Sequence, residues 1–177
     1  MSVELVENVF TPDEFQIVYN SIVNEKNKNS YSIEKHFWSK ALTNVSVGNV
    51  NTLILESQVS KMITDKFEKY LKPGEAFISA QYYEWNPLSQ INWHNDANKK
   101  GAITIYLNEV WNGNWGGYFC WTSDLRHESG NFIIPSFNTA LVIRDNPHHH
   151  VSLINPYAPV RRTLQIWIVD ARDLPAS

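Results

Sequence analysis

The 177-residue chain is long enough to bury a substantial core. Its formal net charge of -3 is too mild to argue for nucleic acid or an anionic membrane surface as a partner. A single cysteine, Cys120, excludes an intramolecular disulfide and suits a reducing cytosol; no apolar run approaches the length of a bilayer span, and the N-terminus shows no basic segment followed by an apolar run. These features predict one domain over residues 1–177 in a cytoplasmic protein.

The chain opens with helical signals. Thr11-Pro12-Asp13-Glu14 supplies an N-cap, a proline at the first helical position and a glutamate placed for a capping box. Phe15, Val18, Ile22 and Val23 then recur at helical spacing, predicting a helix over Pro12 to Glu25. The stretch Lys26 to Thr52 is polar and irregular and reads as a flap or edge strand. A second helix is expected from Leu53 to Leu71, with Leu55, Val59, Met62, Ile63, Phe67 and Tyr70 near one face and Lys72-Pro73-Gly74 as its stop.

From residue 76 the period changes. Short β-rich runs are expected at Phe77 to Trp85, Ile103 to Leu107, Tyr118 to Trp121, Asn131 to Ile134, Thr139 to Ile143, His149 to Leu153 and Thr163 to Val169. Asn-Pro, Ser-Gly and Gly-Gly pairs punctuate them, Gly116-Gly117 serving a tight turn. Strands without intervening helices indicate an antiparallel double-sheet core. The expected fold is mainly β with flanking α-helices: residues 1–75 form helical support and flap, and 76–170 form a jelly-roll (double-stranded β-helix) core. Six of the seven tryptophans follow residue 84, and each reads first as core or rim packing. Cys120, inside Tyr118-Phe119-Cys120-Trp121, reads as a small core side chain.

Three clusters carry chemistry. His94-Asn95-Asp96 places an imidazole and a carboxylate two residues apart, on one face of extended backbone. The run His148-His149-His150 offers a second imidazole. Two histidines and a carboxylate on one side of a metal leave three positions open, the facial triad of non-haem iron(II) oxygenases. Arg161 and Thr163 share a strand face and can together clamp a carboxylate, the guanidinium with a charged two-pronged fork and the hydroxyl with one more donor.

Taken together, Gln81-Tyr82-Tyr83, Trp93-His94-Asn95-Asp96, Tyr106-Leu107-Asn108, Trp111 with Gly116-Gly117, Asn146-Pro147 with the histidines, and Arg161 to Trp167 resemble the prolyl 4-hydroxylase-like branch of the 2-oxoglutarate/iron(II) dioxygenases. The resemblance spans Gln81 to Asp170. It implies an enzyme that uses iron(II), 2-oxoglutarate and dioxygen, with ascorbate as a candidate reductant. It makes His94, Asp96 and His149 the metal ligands and catalytic centre, and Arg161, Thr163, Tyr106 and Tyr83 the 2-oxoglutarate contacts. A histidine-any-valine pattern selects His149, whereas an asparagine-proline-histidine match selects His148; the two alternatives stay open, with His149 preferred. Tyr106 can also be read as a core aromatic with a satisfied hydroxyl. Family members that halogenate replace the ligand carboxylate with a small residue. Retention of Asp96 therefore implies hydroxylation, with decarboxylation of 2-oxoglutarate to succinate.

The resemblance implies a prolyl residue in a peptide, a free amino acid or another small molecule as prime substrate, and the contacts that choose among them come from loops. Lys26 to Thr52, Asn86 to Asn92, Glu109 to Trp115 and Thr122 to Glu128 are the candidate loops. Two other classes compete. A cupin-like site expects glutamate where Asp96 stands, and a non-catalytic jelly-roll binding module has no need of Arg161 and Thr163 in phase with a metal triad.

Overall fold

The computed structural model describes residues 3–28, 34–35, 46–96, 98–124, 126 and 128–174. Strand β1 (Val3–Val6) precedes helix α1 (Pro12–Lys28). The capping box at its start is formed: the Thr11 backbone N–H donates to Glu14 Oε2 at 2.8 Å, and the Glu14 N–H to Thr11 Oγ1 at 3.3 Å. Asp13 and Glu14 in the first turn and Lys26 and Lys28 in the last complement the helix dipole, and the helix runs three residues past the expected Glu25.

The expected helix from Leu53 to Leu71 is corrected. Strand β4 (Val50–Ile54) takes its first residues, helix α2 covers only Ser57–Asp65, and a 3-10 turn at Glu68–Tyr70 follows. Val59, Ile63 and Phe67 keep helical spacing against the core. Leu53 instead lies opposite Tyr82 in an antiparallel ladder, and that pairing overrides the local helical pattern. The flap expected over Lys26 to Thr52 contains the end of α1 and the strands β2 (Glu34–Lys35), β3 (Ser46–Val47) and the start of β4. Gly48 and Asn49 link β3 to β4, and residues 29–33 and 36–45, Trp38 among them, lie outside those described.

The rest of the chain adds β5 (Glu75–Phe77), β6 (Gln81–Trp85), β7 (Gln90–His94), β8 (Gly101–Tyr106), β9 (Phe119–Thr122), β10 (Asn131–Ile133), β11 (Thr139–Arg144), β12 (His148–Val151) and β13 (Arg161–Asp170). The single strand expected over Phe77 to Trp85 is two, both paired to β13, with Ile78 to Ala80 between them. Strand β7 was not expected. Its alternating Gln-Ile-Asn-Trp-His pattern is a half-buried strand's, but Asn86-Pro87 before it reads as loop.

All strand pairs are antiparallel. The larger sheet runs β1-β11-β8-β13-β6-β4-β2, with β5 also paired to β13; the smaller runs β10-β9-β12-β7-β3. One apolar cluster lies between the larger sheet and the helices: Ile103, Ile105, Ala140, Val142, Leu164 and Ile166 meet Val18, Ile22, Val59, Ile63 and Phe67. The second fills the space between the sheets, where Tyr83, Trp85, Tyr106, Leu141 and Ile143 face Ile91, Phe119 and Val151. The expected double-sheet architecture is therefore observed. Among the described residues, no helix is long and apolar enough to cross a membrane.

Ile105 has no exposed surface and sits in the first cluster, whereas Leu5 on edge strand β1 is 46% exposed. Ile105→Ala is expected to lower unfolding free energy by about 2–5 kcal/mol. Leu5→Ala should cost less than about 1 kcal/mol. Urea titration of the two variants beside the wild type checks the contrast.

Candidate active site

Side chains alternate along β13, so Arg161, Thr163, Gln165 and Trp167 face the space between the sheets while Leu164 and Ile166 enter the helix-side core. That space holds a cavity of about 200 Å³. Six of the seven predicted residues line it: Tyr83, His94, Asp96, His149, Arg161 and Thr163. Tyr106 stands behind them, buried against Arg161, whose guanidinium carbon lies 5.3 Å from its ring centroid.

His94 closes β7 and His149 lies directly opposite it on β12. Antiparallel pairing of one inward residue on each strand brings the rings to 4.3 Å between centroids. Asp96 follows two residues after His94. Its Oδ1 is 3.9 Å from His94 Nε2 and its Oδ2 is 3.7 Å from His149 Nε2. One ligand atom from each of the three lies within 4.8 Å of the others, an arrangement able to hold one metal ion. Of the three adjacent histidines, the cross-strand pairing turns His149 inward, buried and lining the cavity, while the His150 ring lies 4.3 Å from that of Trp93.

Each imidazole is oriented by a main-chain carbonyl. His94 Nδ1 lies 2.7 Å from the Asn92 oxygen and His149 Nδ1 lies 2.9 Å from the Pro147 oxygen. With those nitrogens donating, the Nε2 lone pairs are left free for a cation. Burial holds the His94 pKa below its ordinary value, with the neighbouring His149 acting in the same direction, so the ring stays neutral near pH 7. Phe119 stacks on His149 at 5.2 Å between centroids.

The other end of the cavity is built around Arg161, which is 1% exposed. Its guanidinium carbon lies 5.5 Å from the Trp85 ring centroid, so two aromatic faces flank the charge. Among the described residues Nε and Nη2 of Arg161 and the hydroxyl of Tyr106 are buried without a hydrogen-bond partner. Burial pushes the Tyr106 hydroxyl up to about 12, with Arg161 opposing the rise, so it stays a proton donor at neutral pH. Gly117 has a φ of +66°, and a Cβ there would lie 3.1 Å from Arg161 Cδ and 3.1 Å from Trp111. The Gly116-Gly117 turn thus also clears space for the arginine stem.

The sequence reading gave no site role to Phe119, Asn146 or Gln165 and took Trp85 and Trp167 first as core or rim packing, with a substrate groove as the alternative; all five line the cavity. For Gln165 and Trp167 the signal was present, since they continue the even-numbered spacing from Arg161. For Trp85, Phe119 and Asn146 only the folded pairing reveals it. Cys120 is half-buried on β9, and burial pushes its thiol up to about 11, in keeping with an unreactive side chain.

The depressed pKa of His94 carries a pH signature in the metal-free protein. Below about pH 6.5 the unfolded chain takes up a proton that the folded ring resists, so stability falls as pH drops through and below that value. His94→Gln should flatten this part of the profile, read as urea midpoints between pH 7.5 and roughly 5.

No family model matches the sequence, and no curated protein matches it. Solved structures of the same fold do. The prolyl hydroxylase of Trichoplax adhaerens, in complex with a hypoxia inducible factor oxygen degradation domain peptide fragment, aligns with a TM-score of 0.73 at 14% identity, covering 96% of this chain and 84% of that one. A Pseudomonas putida prolyl-4-hydroxylase aligns with a TM-score of 0.65 at 13% identity, covering 94% and 91%. HygX from Streptomyces hygroscopicus, with nickel, 2-oxoglutarate and hygromycin B bound, aligns with a TM-score of 0.64 at 8% identity, covering 94% and 82%. The fold of this chain is that of the prolyl hydroxylases and the 2-oxoglutarate-binding proteins built like them.

Proposed function

We propose that the chain, as one oxygenase domain over residues 1–177, is an iron(II)- and 2-oxoglutarate-dependent hydroxylase. The observation that carries this reading is a buried guanidinium with unpartnered nitrogens sharing one cavity with a His94-Asp96-His149 donor set. Neutral imidazole and carboxylate donors suit a divalent iron ion, and three protein ligands leave positions open for a chelating acid. An unpaired buried cation suits the second carboxylate of a dicarboxylic acid.

In this reading His94, Asp96 and His149 hold the metal, and Arg161 receives the far carboxylate of 2-oxoglutarate. Thr163, opposite both Tyr83 and Tyr106 in the ladder, adds a hydroxyl donor on the same face, and Tyr83 closes the wall. Tyr106 acts from behind Arg161 and holds its plane. When bound, the iron with 2-oxoglutarate and dioxygen supplies the oxidising chemistry that hydroxylates a C–H bond and leaves succinate and carbon dioxide. The protein's own part is orientation and the exclusion of water by the Trp85, Phe119 and Trp167 rings.

The prime substrate we propose is a prolyl residue of a peptide, or a free amino acid or comparable small molecule. The like-folded proteins hold both kinds, a peptide fragment in one and hygromycin B in another. Ascorbate is the proposed reductant, and a single cysteine accords with a reducing, cytoplasmic setting.

Anaerobic addition of iron(II) and then 2-oxoglutarate tests the reading through the visible charge-transfer band of an iron-chelated 2-oxo acid. The band is expected in the wild type and absent in His94→Ala. In Arg161→Ala the 2-oxoglutarate needed for half the band should rise roughly 10- to 100-fold, the loss of a hydrogen-bonded charge pair. A folded wild type that binds neither metal nor 2-oxoglutarate would sink the oxygenase reading and leave a non-catalytic jelly-roll module.

A further inference from the structure

Asp96 is the one member of the donor set that lies outside a strand, because β7 ends at His94. A carboxylate on a loop has rotamer freedom that a strand residue packed between neighbours lacks, so its pose has to be imposed from elsewhere. Two side chains impose it. The Asp96 backbone N–H donates to Asn146 Oδ1 at 2.9 Å, and the Trp167 indole Nε1–H donates to Asp96 Oδ2 at 3.3 Å.

The turn that carries Asn146 has an unusual backbone. Asp145 and Asn146 take φ values of +65° and +45°, successive left-handed residues, a conformation that costs energy for most side chains and that Asn and Asp tolerate best. The following residue, Pro147, supplies the carbonyl that orients His149. This one turn between β11 and β12 therefore grips two of the three donors, the Asp96 loop through the Asn146 amide and the His149 ring through the Pro147 oxygen. Trp167 reaches Asp96 from β13, and its ring is set edge-on against Tyr83 at 6.2 Å between centroids and 68°.

We propose that Asn146 and Trp167 are positioning residues: they turn the Asp96 carboxylate inward, so that its two oxygens face the Nε2 atoms of His94 and His149 before any ion arrives. The proposal rests on the metal-centre reading above. Its content beyond that reading is that the site is preset by one side-chain amide and one indole N–H, neither of which is itself a ligand. Partners of this kind around metal ligands are worth about 10- to 100-fold in affinity.

The test is a titration of the metal-free protein with cobalt(II), followed by its visible ligand-field absorption, on the wild type and three variants. Asn146→Gly keeps the left-handed backbone accessible and removes the side chain that carries the amide. Trp167→Phe keeps an aromatic ring and removes the N–H. Asp96→Ala reports the loss of the ligand itself. The expected result is cobalt binding roughly 10- to 100-fold weaker in each positioning variant, with an altered absorption envelope and an unchanged melting temperature of the metal-free protein. Wild-type affinity and absorption in both Asn146→Gly and Trp167→Phe, with Asp96→Ala defective, would overturn the positioning roles and leave the metal centre standing. A lowered melting temperature with wild-type cobalt affinity and absorption would likewise overturn them, since the two residues would then be merely structural. A folded wild type that takes up no cobalt would remove the metal centre, and the proposal with it.

Discussion

An arginine side chain sealed in the protein interior, with no counter-charge among the described residues, is the constraint on which the site depends. Taking a guanidinium out of water is costly unless something replaces its hydration, and Arg161, 1% exposed, has two nitrogens without a hydrogen-bond partner and no ion pair among the described residues. What surrounds it lessens the cost only in part. Trp85 and Tyr106 offer ring faces, and Gly117 lacks the Cβ that would crowd its stem. The remaining deficit is open toward the cavity. A charge held this way is already desolvated and oriented, so an entering carboxylate meets a partner that requires no reorganisation.

Strand β13 links that constraint to stability. Apart from the exposed Arg162, the strand is covered on both faces, by the helices on one side and the smaller sheet on the other. Odd-numbered residues from Arg161 to Trp167 face the cavity, and Leu164 and Ile166 anchor the helix-side core. A one-residue slip would exchange the two sets, placing Arg161 in the helix-side core and leucine in the cavity. The core that stabilises the fold thus holds the register of the site. The smaller sheet contributes in the same manner, because the His94 and His149 rings meet only while β7 and β12 keep their pairing, with a register shift beginning just beyond His149.

Asp96 departs from this logic. Strand periodicity fixes the two histidines and the arginine, but a residue beyond the end of β7 takes its place from loop contacts drawn from two distant segments, Asn146 and Trp167. The strained corner at Asp145 and Asn146 fits a common pattern in which uncommon backbone conformations gather where a site needs accurate placement.

Much was legible in the residues alone, because it depends on short-range periodicity. The capping box of α1, the succession of strands from β6 to β13 (β7 excepted) and the two-residue phase of His94 with Asp96 and of Arg161 with Thr163 are local patterns, and the sequence by itself determined them, whereas the strands that precede residue 75 were not legible. Other features were decided by partners far along the chain. Leu53 belongs to a strand because Tyr82 lies across from it, β7 is a strand because β12 and β3 flank it, and Tyr106 backs Arg161 because β8 pairs with β13 so that Tyr106 lies opposite Thr163, two residues from the arginine. Which of three adjacent histidines turns inward, and which side chains hold Asp96 in place, were settled by tertiary structure alone. The physical reason is that hydrogen bonds and cross-strand pairings between residues distant along the chain leave no periodic trace in the sequence that makes them.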